Sequence, residues 1–219
     1  MKKRWWRLVP IALSIAAIIY FLPQSERLPT LPVARAQATQ TNAGPIYESI
    51  ATKPICVSEA VPVGDCIPQR FANLPPDPGP DGMKTLDGID SDKDGVRDDL
   101  QRFIVLNWGH SERAVMALMQ IAKNAQRRIE LGDSVTRDEA YEIAKEMNKS
   151  VDCYARSVDR TIRDRQALGL VGVHATNTEA RFLRKSAFEY KSAHRLYDLS
   201  PRETPLTELC GYNPSSLPN

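Results

Sequence analysis

The strongest limit on the fold is the helical spacing of apolar residues in the second half of the chain. Between residues 111 and 131, apolar side chains recur alternately every three and four positions, which places them on one face of an α-helix. These side chains are Val115, Leu118, Ala122, Ala125 and Ile129. Gly132 then ends the predicted helix, as glycine commonly does. A helix with one apolar face must bury that face, so a packed helical core is expected.

A longer helix is predicted after this one, beginning at a capping box formed by Thr136 and Glu139. The pattern continues to Gln166, and we expect the helix to end at Gly169 or Gly172. Its predicted apolar face consists of Ala140, Ala144, Met147, Val151, Tyr154 and Val158.

A further helix is predicted to begin at a second capping box, Thr176 and Glu179, and to end at Ser200. Pro201 disfavours helical geometry in the residue before it. The apolar face expected here consists of Ala180, Leu183, Ala187, Tyr190 and Tyr197.

A short helix over residues 98–108 completes the set. Its expected inward side chains are Leu100, Phe103, Ile104 and Trp108. The four segments predict an all-α protein, an antiparallel helical bundle of about three long helices and one short helix. An intermolecular coiled coil has similar spacing, but the stripes here are rich in alanine and interrupted by loops, which favours one chain folding on itself.

The segment 39–86 precedes these helices and has a different composition. It holds eight prolines and no sustained apolar period, so neither a helix nor a central strand is expected. We predict a proline-rich spacer, extended over 74–82. The predicted organisation is therefore a targeting segment at 1–38, this spacer, and a domain at 87–219 that contains an acidic loop and the bundle.

The N-terminal region has the layout of a secretory signal. Four of the first seven residues are basic, and the apolar run Leu8–Leu22 follows. The small residues of 34–38 fit a cleavage site, whereas an uncleaved segment would act as an anchor in the inner membrane. Both alternatives predict an exported protein, located in the periplasm or the cell envelope.

The four cysteines agree with export, because an even number in an oxidising compartment is typical of disulfides. Four cysteines allow three pairings. Cys56 and Cys66 enclose a short loop and form the natural pair, which leaves Cys153 with Cys210. A nucleophilic Cys153 is the alternative, and it would require a reduced thiol.

The charge of the chain argues against nucleic acid as a partner. Six of the 29 basic residues and one of the 27 acidic residues lie in 1–38, so residues 39–219 have a net charge of −3. Binding to a polyanion depends on a clear excess of positive charge.

One motif has a direct chemical meaning, the acidic segment 90–99. Aspartates at alternate positions of a tight loop converge on one point, and Ca²⁺ is bound by six to eight oxygens. Gly95 allows the sharp turn that such a loop needs. The predicted ligands are Asp90, Asp92, Asp94, the carbonyl of Val96, and Asp98, which fills the ninth position.

This segment resembles the calcium repeats of thrombospondin type 3 and the EF-hand-like loops of dockerins, in which the pattern is D-x-D-x-D-G-x-x-D. The resemblance covers about a dozen residues and implies the same ligands. It departs from those families at the twelfth position, where an acidic ligand is replaced by Gln101. Asp99 or Asp87 is the candidate substitute, and we include Asp99 among the predicted ligands.

Catalytic signals are weak by comparison. The histidines are His110, His174 and His194, and no H-E-x-x-H pattern is present. The sequence favours a non-enzymatic, calcium-stabilised helical module that binds a protein or an envelope polymer. The alternatives are an envelope hydrolase with a dispersed active site that includes His110, and a calcium-responsive regulator.

Overall fold

The computed structural model describes residues 55–56, 66–193, 195 and 200–218. Six α-helices form this part of the chain: α1 (Asp98–Trp108), α2 (Glu112–Leu131), α3 (Arg137–Ser157), α4 (Ala167–Ala175), α5 (Glu179–Ser192) and α6 (Leu206–Cys210). The described residues contain no strand, only one isolated bridge between Ile55 and Ile67. The predicted all-α helical bundle is confirmed.

Helix α2 lies at the centre of the bundle and contacts α1, α3, α4 and α5. Its predicted apolar stripe is buried along its whole length, from Val115 to Ile129. Ser111 caps the helix, because its side chain accepts a hydrogen bond from the amide of Ala114. Gly132 ends it with a φ of 50°, a conformation that favours glycine.

The predicted signal segment and the boundary at residue 38 lie outside the described residues, as does His194. Among the helices that the structure describes, none combines the length and the apolar character that crossing a membrane requires.

Helix α3 begins at the predicted capping box, which is present, but it ends earlier than predicted, at Ser157. The reason is local. The Asp159 carboxylate accepts hydrogen bonds from the amide of Thr161 at 2.8 Å and from its hydroxyl at 2.7 Å. Such side-chain bonds offer the backbone an alternative to the helical ladder.

A separate helix, α4, occupies the region where the sequence predicted the end of α3. Gly169 and Gly172 lie inside α4 instead of terminating a helix. Just before this helix, Asp164 accepts a hydrogen bond from the amide of Gln166 at 2.8 Å, a second local turn. The prediction of one uninterrupted helix to Gln166 was therefore wrong.

The start of α5 is also shifted. Thr178, not Thr176, caps this helix by accepting from the amide of Arg181. Thr176 belongs to the end of α4, where its hydroxyl donates to the carbonyl of Gly172 at 3.0 Å. Helix α5 ends at Ser192, before the predicted Ser200. Tyr197 lies outside the described residues.

The face of α5 that packs on the bundle is not the predicted one. Leu183 and Tyr190 are 57% and 67% exposed, whereas Arg181 and Phe188 are fully buried. The guanidinium of Arg181 donates to the carbonyl oxygens of Gly82 at 2.6 Å and Leu86 at 3.0 Å. These bonds turn a charged residue inward and leave apolar residues in solvent.

The predicted spacer packs against the helices where it is described. Ile67 is part of the main core, and a 3₁₀ helix at Gly79–Met83 replaces the extended conformation predicted over 74–82. Arg102 of α1 donates to the carbonyl of Pro75 at 2.9 Å. The prolines leave backbone carbonyls unused by secondary structure, and buried arginines take them as acceptors.

Both predicted disulfides are confirmed. Cys56 and Cys66 are joined with a Cα–Cα distance of 5.1 Å, and Cys153 and Cys210 with a distance of 5.0 Å. The second bond links α3 to α6 across 57 residues. Cys153 therefore has no free thiol to act as a nucleophile.

Candidate metal centre

The acidic loop is closed at its two ends by hydrogen bonds. The amide of Asp98 donates to the carbonyl of Ile89 at 2.8 Å. The carboxylate of Asp98, which is fully buried, accepts from the amide of Ser91 at 2.9 Å and from its hydroxyl at 2.6 Å. The loop is thereby attached to the first residue of α1.

Inside the loop, carboxylates bind backbone amides and hold a tight turn. Asp90 accepts from the amide of Gly95 at 2.9 Å, and Asp94 accepts from the amide of Val96 at 2.7 Å. Gly95 has a φ of 89°, and a Cβ atom there would lie 2.8 Å from Cε of Lys123. The positive φ favours glycine at this position, whereas the flexible end of Lys123 could move to accommodate a Cβ atom.

Three aspartates converge in this turn. Asp90, Asp92 and Asp98 each offer a carboxylate oxygen, and these oxygens all lie within 4.8 Å of one another. Burial is the main reason that the pKa of Asp94 lies above its ordinary value, and the charges of Asp92 and Asp90 raise it further. Like charges this close repel, so a cation between the carboxylates would relieve the repulsion. The triad can hold a metal ion.

Gln101, at the twelfth position, reaches into the same loop. Its Nε2 lies 3.2 Å from a carboxylate oxygen of Asp92 and 3.3 Å from one of Asp94. Its Oε1 is buried and has no hydrogen-bond partner among the residues that the structure describes. From the sequence, Gln101 was interpreted only as the absence of an acidic ligand at the twelfth position. Its contact with the carboxylates was not predicted.

Asp99, predicted as a ligand, belongs to another set of contacts. Its carboxylate forms an ion pair with Arg97 at 2.9 Å and accepts from Nδ2 of Asn177 at 3.1 Å. Asp99 is absent from the triad of converging carboxylates, and so is Asp87, whose side chain is exposed. Adjacent residues at a helix start point in different directions, so Asp98 faces the loop and Asp99 the bundle.

Arg97 joins the loop to the bundle and was missed by the sequence reasoning. Its guanidinium is fully buried. Besides Asp99, it donates to Oε1 of Gln126 at 3.0 Å, to the carbonyl of Ala175 at 3.1 Å and to that of His174 at 3.2 Å. One side chain thus connects the loop with α1, α2 and α4. An arginine near the end of an acidic segment gives no local sign of this role.

The two histidines that the structure describes, His174 and His110, make contacts away from the carboxylate triad. The ring of His174 stacks on Phe103, with centroids 4.0 Å apart. His110 lies at the turn after α1, where burial and the charge of Arg70 lower its pKa. Neither residue lines the cavity of about 430 Å³ beside α2 or the cavity of about 300 Å³ beside Glu189.

Acidification should destabilise the protein through His174. Burial lowers the pKa of His174 below its ordinary 6.5, Arg97 lowers it further, and Asp99 and Asp77 oppose the shift. Between the folded and unfolded pKa values the unfolded chain holds more protons, so stability falls as pH decreases below about 6.5. We expect the urea midpoint to decrease less steeply over this range in His174→Gln than in the unsubstituted protein. Equal pH slopes would contradict this assignment.

The three converging carboxylates, Gln101 and the hydrogen bonds that close the loop all belong to one short segment, residues 89–101. No family model, curated protein or solved structure matches this chain.

Proposed function

We propose that this chain is an exported protein in which one Ca²⁺ ion, bound by the loop 90–101, stabilises a helical bundle that binds a protein or an envelope polymer. The observation that carries the proposal is the convergence of the Asp90, Asp92 and Asp98 carboxylates at the start of α1. A binding role is proposed because the sequence combines a structural-metal motif with no recognisable catalytic pattern.

The ligand chemistry favours calcium among the common metals. Every side chain of the triad offers oxygen, which is typical of hard cations, whereas zinc and copper sites are rich in histidine and cysteine. Mg²⁺ requires a near-ideal octahedron with metal–oxygen distances of about 2.0–2.1 Å. A flexible loop of carboxylates and carbonyls suits the larger, more adaptable shell of Ca²⁺.

Gln101 supplies the twelfth-position ligand in this proposal. Rotation of its amide would exchange Nε2 for Oε1 and turn the unpartnered oxygen toward the ion. A neutral amide contributes less attraction than a carboxylate. We therefore expect an affinity in the range of extracellular modules, with a Kd of about 10⁻⁴–10⁻³ M.

Export is supported by the two disulfides and by the basic and apolar pattern of the N-terminal region. Structural disulfides persist in oxidising compartments and are rare in a reducing cytosol. Calcium is often abundant outside the cytoplasm, so a weak site can remain filled there.

A stabilising role fits the contacts of the loop better than a regulatory one. Asp98 is buried in the closure of the loop, and the adjacent Arg97 bonds three helices. A calcium-responsive regulator needs two conformations of the loop and the helices it contacts, and calcium must bind one of them more tightly. Dynamic light scattering with and without calcium separates the roles, because a stabilising ion leaves the hydrodynamic radius unchanged.

Calcium should raise the thermal unfolding midpoint of the full chain with its disulfides intact. Binding to the folded state alone stabilises it by mass action, by about 0.4–1.4 kcal/mol at about 1 mM free calcium for the Kd expected above. The experiment compares millimolar calcium with excess chelator, using circular dichroism. A parallel titration with Mg²⁺ should give a smaller rise.

Asp92, a proposed ligand that is exposed, is the best position for a variant that removes the calcium site. Asp92→Ala should abolish the rise, whereas Asp87→Ala, an exposed aspartate of the same segment outside the triad, should retain it. Absence of any calcium-dependent shift in the unsubstituted protein would overturn the proposal.

A further inference from the structure

Helix α4 (Ala167–Ala175) presents an apolar surface to solvent. It contains no aspartate, glutamate, lysine or arginine, and its inner side is fully buried in the core. On its outer side Leu170 is 41% exposed and Val173 is 71% exposed. These two residues are three positions apart and are therefore neighbours on the helix surface. An apolar patch rimmed by polar residues is a mark of contact with a protein or a membrane.

Arginines precede this helix in the chain. The segment 156–165 holds four arginines and two aspartates. Arg160 and Arg165 are exposed, and neither has an ion pair or a side-chain hydrogen bond with a residue that the structure describes. The carboxylates of Asp159 and Asp164 accept hydrogen bonds from backbone amides of their own turns, each at 2.8 Å. Two guanidinium groups next to the start of α4 are therefore available to an anionic partner.

An anionic lipid surface offers both kinds of contact. Phosphate groups at the surface of a bilayer attract arginine, and the acyl region below them accepts aliphatic side chains. An acidic polysaccharide would bind the arginines but has no continuous apolar layer for Leu170 and Val173. The cell envelope, proposed above as the location, is bounded by phospholipid membranes. Residues 39–219 have a net charge of −3, so attraction to such a surface depends on a local group of arginines.

We propose that the outer face of α4 lies on a membrane surface rich in anionic phospholipids. Leu170 and Val173 enter the boundary between head groups and acyl chains, and Arg160 and Arg165 bind the phosphate groups. The contact is peripheral and reversible, because so small an apolar surface reaches only this boundary. None of these residues belongs to the acidic loop, so the contact does not require calcium.

A fluorescent label on α4 tests this contact in the full chain, in excess chelator. Val173→Cys is labelled with nitrobenzoxadiazole, a dye whose emission increases in apolar surroundings. The four native cysteines are paired in disulfides and do not react with the label. We expect the emission to increase with vesicles of phosphatidylglycerol and phosphatidylcholine in equal parts. With vesicles of phosphatidylcholine alone, we expect it to stay unchanged.

The same label on Tyr190→Cys is the control for position. Tyr190 is 67% exposed on α5, so a label there is accessible but lies outside the proposed contact, and it should not respond to either kind of vesicle. Because each label reports only its own surroundings, contact between the N-terminal segment and a vesicle does not produce the signal.

Arg160→Gln combined with Arg165→Gln tests the electrostatic contribution in the labelled chain. Each arginine near an anionic surface increases binding about fivefold, so this double variant should bind the mixed vesicles about 25-fold more weakly. Arg127→Gln with Arg137→Gln is the matched control, because it removes two exposed arginines and changes the net charge equally. These two residues lie where α2 ends and α3 begins, about 30 Å along α3 from its end, so the affinity should change by less than about twofold.

Leu170→Ser tests the apolar contribution, because it removes the aliphatic side chain and keeps the arginines. We expect it to weaken binding of the mixed vesicles. Leu183→Ser, at a 57% exposed position of α5, is its control and should leave the affinity unchanged.

Unchanged emission of the label on Val173→Cys with the mixed vesicles would overturn the proposal, as would an equal increase on Tyr190→Cys. An increase with protein concentration in the absence of vesicles would show that a second copy covers this face instead of a membrane. An equal loss of affinity in the two double variants would contradict the role given to Arg160 and Arg165. Far-ultraviolet circular dichroism verifies that each variant is folded.

Discussion

Arg97→Met should lower the free energy of unfolding by about 3–5 kcal/mol, the effect typical of removing one partner from a buried ion pair. The guanidinium is fully buried, and its loss leaves the carboxylate of Asp99 without its cation. The acceptors on Gln126 and Ala175 lose a donor as well. Urea unfolding followed by circular dichroism measures the change.

Two comparisons separate the ion pair from a general effect of losing an arginine. Arg195→Met removes an ion pair with Asp138 that is exposed to solvent, so we expect a loss below about 1 kcal/mol. Arg97→Met combined with Asp99→Leu removes both buried charges and should be more stable than Arg97→Met alone. A double variant that is less stable than the single one would show that the orphaned carboxylate is not the source of the loss.

The second large effect is expected at the disulfide between α3 and α6. Replacing Cys153 and Cys210 by alanine should lower the free energy of unfolding by about 4 kcal/mol in the chain-entropy model, because the bond closes a long loop in the unfolded chain. Its sequence separation is 57 residues. Both half-cystines are buried, and alanine introduces no polar group there.

The short disulfide provides the comparison. Cys56 and Cys66 are separated by 10 residues, so the same relation gives about 3 kcal/mol for their replacement by alanine. Urea unfolding of both variants should also show a larger m value for the Cys153 and Cys210 variant, because its unfolded state becomes less compact. A greater loss from the short loop would contradict the loop-length account.

Local sequence patterns predicted the structure correctly wherever a segment contains its own hydrogen-bonding and packing partners. Helix α2 lies where its apolar period predicted, because every member of the stripe faces the same core. Its cap at Ser111 and its end at Gly132 depend on backbone geometry within a few residues. The converging carboxylates of the loop are likewise a property of about a dozen neighbouring residues.

The apolar spacing predicted the wrong buried face where hydrogen bonds to a distant segment determine the orientation of a helix. On α5, apolar spacing predicted that Leu183 and Tyr190 would be buried, yet both are exposed. The helix is instead oriented by Arg181, which bonds the carbonyls of Gly82 and Thr85, 99 and 96 residues earlier in the chain. Burying a guanidinium is tolerated only with such acceptors, and no periodicity encodes where they are.

The sequence by itself determined the helical class, the bounds of α1 and α2 and the place of the acidic loop, because each depends on local spacing. The sequence favoured one of three cysteine pairings, and the structure has that pairing. Only the tertiary structure decided that Asp98 faces the loop while Asp99 pairs with Arg97, and that Gln101 lies beside the carboxylates. The physical reason is the sequence separation of the interacting groups. Arg97 donates a hydrogen bond to a residue 78 positions away, so the orientation of its side chain depends on the assembled fold.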